Sequence, residues 1–316
     1  MTAPPPVSVI IVSYGVRDLL RRCLASVGSQ RGPTVETWVV DNASGDGSAD
    51  VVASEFPGVH LIRNPENVGF ARACNQALDH ATGDPLLLLN PDTEIPPGSL
   101  AALTQVFSRH PNAGAAGFAL RGPEGLPQPG CLSFPTVLNT ALESFGLHRA
   151  GLRLGIGSPA SAPTPREGEG EVDWVAGAFF AITRAALERV GGLSPESFMY
   201  GEEMDWSWRA RQLGFSTVFS NAVEVLHHGG SSGQGLRGSL FVLNLEARLR
   251  FLRRYRGVLS AAIAREVLVL GSMLRLAYWW PRAALESRAG GIAPRTRDQV
   301  DRFRAVLEWR LGRAPR

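Results

Sequence analysis

The chain contains no lysine at all. Every cation other than histidine is an arginine, so a Walker-type phosphate loop with its obligatory glycine-lysine step is excluded. Base composition of the genome explains so complete a loss more simply than function does. Cysteine is scarce as well: Cys23, Cys74 and Cys131 are odd in number and widely spaced. They match neither a disulfide framework nor a zinc-ligand spacing, and suit a reducing compartment. No uncharged apolar run reaches about 18 residues, so no helix clearly spans a membrane. Residues 1–6 are proline-rich and run straight into a strand-like segment, unlike a secretory signal. Charge is modest, 19% of 316 residues against 44% hydrophobic. That mix excludes disorder as the main theme and leaves room for one large domain with an appendage, or two small ones.

The residues that are present fall into patterns. The net charge is only +3, yet the positive charge gathers after residue 240, in segments such as 248–256. The β-branched run 7–12 reads as a buried strand. Leu19, Leu20, Cys23, Leu24 and Val27 then recur at helical spacing. Strand-like segments at 38–40, 59–62, 86–89 and 113–119 alternate with helical ones at 49–54, 70–81 and 99–108. Such alternation implies right-handed crossovers and an α/β fold with a parallel sheet covered on both faces. Glycine, proline and serine dominate residues 121–170, and 158–170 read as a mobile surface loop. Order resumes at 172–182, with helices at 184–190 and 202–213, short strands at 216–219 and 222–226, and helices at 240–255, 258–280 and 297–311. No internal repeat is visible.

Ligands of such sheets bind outside the carboxyl ends of the strands, and polar clusters follow the strands here. They are Ser13-Tyr14, Asp41-Asn42-Ala43-Ser44, residues 64–67 and Asn90-Pro91-Asp92-Thr93-Glu94. The Asp41 cluster is also ordinary turn chemistry. The Asp92 cluster ends a run of four leucines, and a carboxylate there suits a hard divalent cation shared with substrate phosphates; a helix cap is the plainer alternative. Glu202 and Glu203 open a helix, where amides and dipole favour anions, and a rigidly held carboxylate suits a general base. Simple capping is the alternative for them too. Asp205, four residues before Arg209, fits an intrahelical ion pair, while Trp206, Trp208 and Leu213 read as packing. His227-His228 before Gly229-Gly230 could ligate a metal or approach a diphosphate, or be structural.

The order of these clusters makes the chain resemble the inverting glycosyltransferases of family 2, with their GT-A fold, and within them the rhamnosyltransferase-like branch. The motifs carrying the resemblance are Val9 to Tyr14, Val40 to Ser48, Asn64 to Ala71, Leu89 to Thr93, Trp174 to Ala178, Tyr200 to Arg209 and His227 to Ser232. They span about residues 7–255. The resemblance implies a GT-A domain over 1–256, with a nucleotide-sugar half at 7–120 and an acceptor and catalytic half at 121–256, and a helical extension at 257–316. It implies that Ser13, Tyr14, Asp41 and Asn42 hold the base and ribose, Asn42 standing where the family often has aspartate. Asn67, Gly69 and Phe70 would line the nucleotide pocket, with Asn90, Trp174 and Gly177 as further substrate contacts. Asp92 matches the last acid of the metal motif, whose preceding acid is here Pro91. A Mg²⁺ or Mn²⁺ ion would thus draw on Asp92, His227, diphosphate and water. The base of the family's Glu-Asp pair falls on Glu203 beside Glu202, one methylene longer.

The reaction implied by the resemblance is transfer of a sugar, in this branch often rhamnose, from a dTDP- or UDP-sugar to a saccharide or lipid-linked acceptor of bacterial cell-envelope polysaccharide. No nucleic acid is expected as a partner. Residues 258–280 end in Tyr278-Trp279-Trp280 and carry Arg265, Glu266 and Arg275. Crossing a bilayer would be costly for them, but lying in its interface would not. A cytoplasmic enzyme, peripheral on the inner face of the membrane, is the expectation; packing on the catalytic domain or in a homodimer is the alternative. Two other classes stay open. A sugar-phosphate nucleotidyltransferase would need a basic glycine-rich loop after the first strand, which is absent. A non-catalytic relative that binds sugar nucleotide, saccharide or a partner protein would have no reason to keep Asp92, Glu203 and His227.

Overall fold

The computed structural model describes residues 5–147, 168–196, 200–229, 237–288 and 290–312. Most of the expected 158–170 loop, the Phe198-Met199 step and Gly230 to Ser232 lie outside the described residues. The chain divides into two units, one of residues 1–133 and 161–232, the other of 134–160 and 233–316. The expected boundary near residue 256 falls instead between two helices of the second unit.

In the first unit β1 (Val7–Ser13), β2 (Val35–Asp41), β3 (His60–Arg63) and β4 (Leu86–Leu89) are all parallel, in the order β3-β2-β1-β4. They alternate with α1 (Arg17–Gly28), α2 (Ser48–Glu55) and α3 (Phe70–Leu78). Successive strands extend to one side of β1 and β4 then returns to its other side. The order therefore reverses at the β1/β4 seam, where an open α/β sheet opens its ligand crevice. Both strands are buried along their whole length, as continuous apolar runs covered on two faces must be.

Beyond β4 the sheet ceases to be parallel. After the short β5 (Thr93–Glu94) and α4 (Ser99–Arg109) comes β6 (Ala113–Arg121), but it does not pair with β4. The strand β11 (Phe179–Ile182) lies between them, antiparallel to both. Its pattern, Phe-Phe-Ala-Ile, carries no signal of direction, so alternation reveals the parallel part of this mostly parallel sheet but not where the antiparallel strand enters. Phe179 pairs with Leu89, so the segment just before β11 lies at the carboxyl end of β4. The two short strands expected at 216–226 are one, β12 (Ser216–His227), parallel to β6 with a register irregularity between Ser220 and Glu224. Among elements not foreseen are β7 (Pro127–Gln128), β8 (Cys131–Leu132), β9 (Glu169–Val172) and β10 (Trp174–Val175); all but β9 are only two residues long.

The second unit is helical. It holds α5 (Val137–Ser144), also unforeseen, and the helices Arg237–Arg256, Val258–Arg288 and Pro294–Arg310. Phe251 stacks on Phe134 at 5.4 Å, Arg248 pairs with Glu143 at 2.8 Å and the Trp309 indole donates to Glu246 at 2.7 Å. No helix among the described residues is long and apolar enough to cross a membrane.

Candidate active site

The carboxyl ends of β1 and β2 bring Ser13 and Asp41 side by side in register. Both are buried, and neither the Ser13 hydroxyl nor Asp41 Oδ1 has a protein partner. Asp41 Oδ2 accepts from the Ser44 amide at 3.2 Å, closing the loop onto the strand end. A buried polar atom left unmatched costs about 1–3 kcal/mol, so these two atoms are positioned for a ligand or water. Tyr14, the next residue, is half exposed at the mouth.

Asn42 behaves differently from the expectation that its amide faces a base. Its Oδ1 accepts from Asn64 Nδ2 and the Val68 amide, each at 3.1 Å, and its Nδ2 donates to Asn67 Oδ1 at 2.7 Å. Asn67 Oδ1 also accepts from the Gly69 amide, and Asn64 exchanges two hydrogen bonds with Gln76. This amide network ties the loop after β2 to the loop after β3. Gly69, with φ of 85°, permits the turn into α3 beneath Phe70. Asn42 and Asn67 thus hold the two loops together, while the Ser13 hydroxyl and Asp41 Oδ1 stay unpartnered.

Across the seam, Asn90 follows β4 and its amide donates to the Ala178 carbonyl at 3.2 Å. Asp92 is buried, and its Oδ1 lies 3.4 Å from His227 Nε2 at the end of β12. Burial works against the charged form of Asp92, but the rings of His227 and His228 and its own amide more than offset this and hold it below the usual carboxylate range. The other face of His227 is clamped by Gln128, a residue no motif indicated. Gln128 Nε2 donates to the His227 carbonyl at 3.0 Å, so its Oε1 must be the atom 2.7 Å from His227 Nδ1. An amide oxygen only accepts, so the ring proton sits on Nδ1. Nε2 faces the Asp92 carboxylate, and a proton or a cation between the two is what lets the ring hold Asp92 low. His228 is occupied elsewhere, 2.8 Å from Glu94. No group of three or more His, Cys, Asp or Glu among the described residues forms a metal cage. The Asp92-His227 pair offers one oxygen and one nitrogen, and a cation there would need phosphate oxygens and water to complete its shell.

Glu202 and Glu203 begin the helix Glu202–Gln212, whose N-cap is Gly201 in the left-handed conformation. That helix is pinned from outside: Arg209 pairs with Asp205 at 2.9 Å and donates to the carbonyls of Val190 and Gly192, while the Trp206 indole donates to Gly191. The expected ion pair and tryptophan packing are both present, whereas Leu213 lies exposed at the helix end. Glu202 is buried, and the Glu203 carboxyl lies against the backbone of Gly177. A Cβ on Gly177 would stand 3.3 Å from that carboxyl. Burial raises the Glu203 pKa, opposed by the amides of Glu203 and Gly177. Trp174, which leads into this turn, is buried with its indole donating to the Ser133 carbonyl at 3.1 Å. It supports the Gly177 segment from below.

Tyr200, also unforeseen as a site residue, lies within the electrostatic reach of these carboxylates. Burial raises its phenol pKa, and the charges of Glu203, Glu202 and Asp92 raise it further. It holds a left-handed backbone at φ 73°, rare for a bulky residue and typical of sites where geometry is imposed.

A two-part parallel and antiparallel α/β sheet with acids around the seam of β1 and β4 is the architecture of the GT-A fold. Residues 8–133 match the family model for glycosyl transferase family 2, and the chain is a glycosyltransferase carrying a domain of that family. It is 29% identical over 240 residues to N-acetylglucosaminyl-diphospho-decaprenol L-rhamnosyltransferase of Mycobacterium tuberculosis, covering 70% of this chain and 75% of that protein. It is 24% identical to the low-salt glycan biosynthesis hexosyltransferase Agl10 of Haloferax volcanii, covering 91% and 87%. Among solved structures it resembles the mannosyltransferase PcManGT of Pyrobaculum calidifontis in complex with GDP-Man and Mn²⁺. That likeness has a TM-score of 0.59 at 20% identity, over 98% of this chain and 87% of that one.

Proposed function

We propose that the protein transfers a sugar, L-rhamnose by the class of its mycobacterial relative, from a pyrimidine nucleoside diphosphate to a lipid-linked saccharide in bacterial cell-envelope polysaccharide synthesis. The observation carrying this is that the Asp92-His227 pair stands just past the carboxyl end of β4, while the Glu203 carboxyl lies against Gly177, just before the strand that pairs with that same end. Asp41 Oδ1 accepts the ring N3–H of a thymine or uracil, and the Ser13 hydroxyl serves a neighbouring carbonyl. Adenine, with a bare ring nitrogen at its pairing edge, would face the carboxylate unfavourably. Asp92 and His227 would hold a divalent cation, which when bound would supply positive charge to the leaving diphosphate. Gln128 keeps His227 Nε2 available on that side. Glu203 takes the proton of the acceptor hydroxyl, whose oxygen bonds to the anomeric carbon as the carbon–oxygen bond to diphosphate breaks. Attack comes from the face opposite the leaving group, so the configuration inverts. Gly177 holds the base through its amide, and Glu202 supports it at the helix start. An acceptor of this kind brings the enzyme to the inner face of the cytoplasmic membrane as a peripheral protein.

Thermal shift with nucleoside diphosphates and Mn²⁺ tests the donor reading. Thymidine and uridine diphosphates are expected to raise the melting temperature, and adenosine diphosphate much less. An equal shift for adenosine diphosphate would remove the pyrimidine assignment. Asp92→Ala should abolish the metal-dependent part of the shift, and an unchanged metal requirement would remove Asp92 from the site.

A further inference from the structure

We propose that the outward face of the Val258–Arg288 helix is a docking surface for a bilayer of anionic lipid. The proposal deepens the reading of a lipid-linked acceptor and rests on that reading for its purpose, but not for its surface. One side of this helix is committed inside the helical unit. Gly271 meets α5 so closely that a Cβ would lie 2.6 Å from Ser144, and Ser272 beside it is buried. Arg275 donates to the carbonyls of Ser144 and Glu143 at 3.0 and 2.8 Å.

The opposite side has no such cover. Leu259, Leu270, Met273, Leu274, Tyr278 and Trp280 are 50 to 74% exposed, at spacings that line one broad face of a 3.6-residue helix. At 1.5 Å per residue the face runs for roughly 30 Å. The single acid on it, Glu266, is paired with Arg265 at 2.9 Å and Arg310 at 3.4 Å. Arg256, Arg265 and Arg282 are exposed around the face, and Tyr278 and Trp280 have the amphipathic rings that settle at the head-group level. An apolar face rimmed by arginine and aromatic residues, too short of uninterrupted apolar length to cross, lies in the interface plane.

Charge chooses the occupant. Residues 237–316 carry 17 arginines against 6 acidic residues, whereas residues 1–236 carry 15 against 23. Pairing two copies through this face would press two strongly cationic units together. Anionic head groups neutralise them instead, and the acidic excess elsewhere in the chain offers no second surface of that sign.

Full-length protein is sedimented with vesicles of phosphatidylcholine alone and with about 30% phosphatidylglycerol, at low and high salt. Binding is expected only with the anionic lipid and released by salt. The triple variant Leu270→Gln, Leu274→Gln, Trp280→Gln should bind at least ~10-fold more weakly, since buried apolar area drives such insertion. All three side chains are exposed, so its melting temperature and its shift with nucleoside diphosphate should match wild type, which keeps this test separate from the donor reading. No partition into anionic vesicles, or equal partition by the variant, overturns the proposal. So does a dimer in light scattering that the triple variant dissolves, which would make a second copy the occupant.

Discussion

Gln128 decides which nitrogen of His227 is free. Its two contacts, one to the ring and one to the carbonyl, orient the imidazole as outer carboxamides and carboxylates orient metal-binding histidines elsewhere. Gln128→Ala is expected to weaken nucleotide-dependent Mn²⁺ binding by ~10-fold, read by calorimetry, with no change in melting temperature; unchanged affinity would reduce Gln128 to packing. Glu203 makes the complementary prediction. Glu203→Gln should leave donor affinity intact and reduce turnover at least ~100-fold, with Glu202→Gln milder. A base must be ionised, and burial lifts Glu203 above the ordinary carboxylate range. The acid limb of wild-type turnover should therefore inflect above about 4.3, activity rising with pH through it. Glu203 and the Asp92-His227 pair are legible in the sequence because they stand in ordered motifs. Gln128 is not, because an isolated glutamine between two prolines has no spacing to betray it, and Tyr200 heads a motif without being singled out by it. Asn42 misleads for a related reason: its sequence position indicates a loop, while the partners that saturate its amide come from the loop after β3.

Elements, more than residues, determine where Glu203 sits. β11 enters antiparallel between β4 and β6, and this reversal carries Gly177 to the end of β4. Gly177→Ala should displace the Glu203 carboxyl and weaken the amide bond that lowers its pKa, moving the acid limb of turnover upward and reducing kcat more than donor affinity. A fall in donor affinity alone would argue against that role. A second added strand, β9, is fastened by Glu169, which Arg109 grips through two bonds at 2.9 and 2.7 Å. The Arg109 hydrogen bonds are the main cause of a Glu169 pKa lowered to about 2. Because the folded value lies below the unfolded one, the stabilisation is full above about pH 4.3 and fades as pH falls towards 2. With Arg109 half exposed to solvent, Glu169→Gln should cost on the order of 1 kcal/mol at pH 7, and melting curves should converge with wild type in acid. The parallel half of the sheet is readable from alternation of periods. The antiparallel additions are not, since four-residue and two-residue strands gain their direction only from distant partners.

At the scale of the whole molecule, charge separates along the chain as cleanly as secondary structure does, and both are visible in outline in the sequence. The place of division is not: the helix Arg237–Arg256 reads as a continuation of the segments before it, yet its apolar side chains Leu245, Phe251 and Leu252 are buried in a unit whose other members include α5, a hundred residues earlier. The late arrival of β11 has a consequence for biosynthesis. β4 is four leucines long and buried, and one of its edges has no partner until residues 179–182 have been made. A ribosome that has released only the stretch matched by the family model, residues 8–133, has produced a half-sheet with an open all-leucine edge, the kind of template on which strands of other chains add. That stretch is a unit of descent and not a unit of folding, and a chaperone binding the nascent chain would find its natural target at Leu86–Leu89.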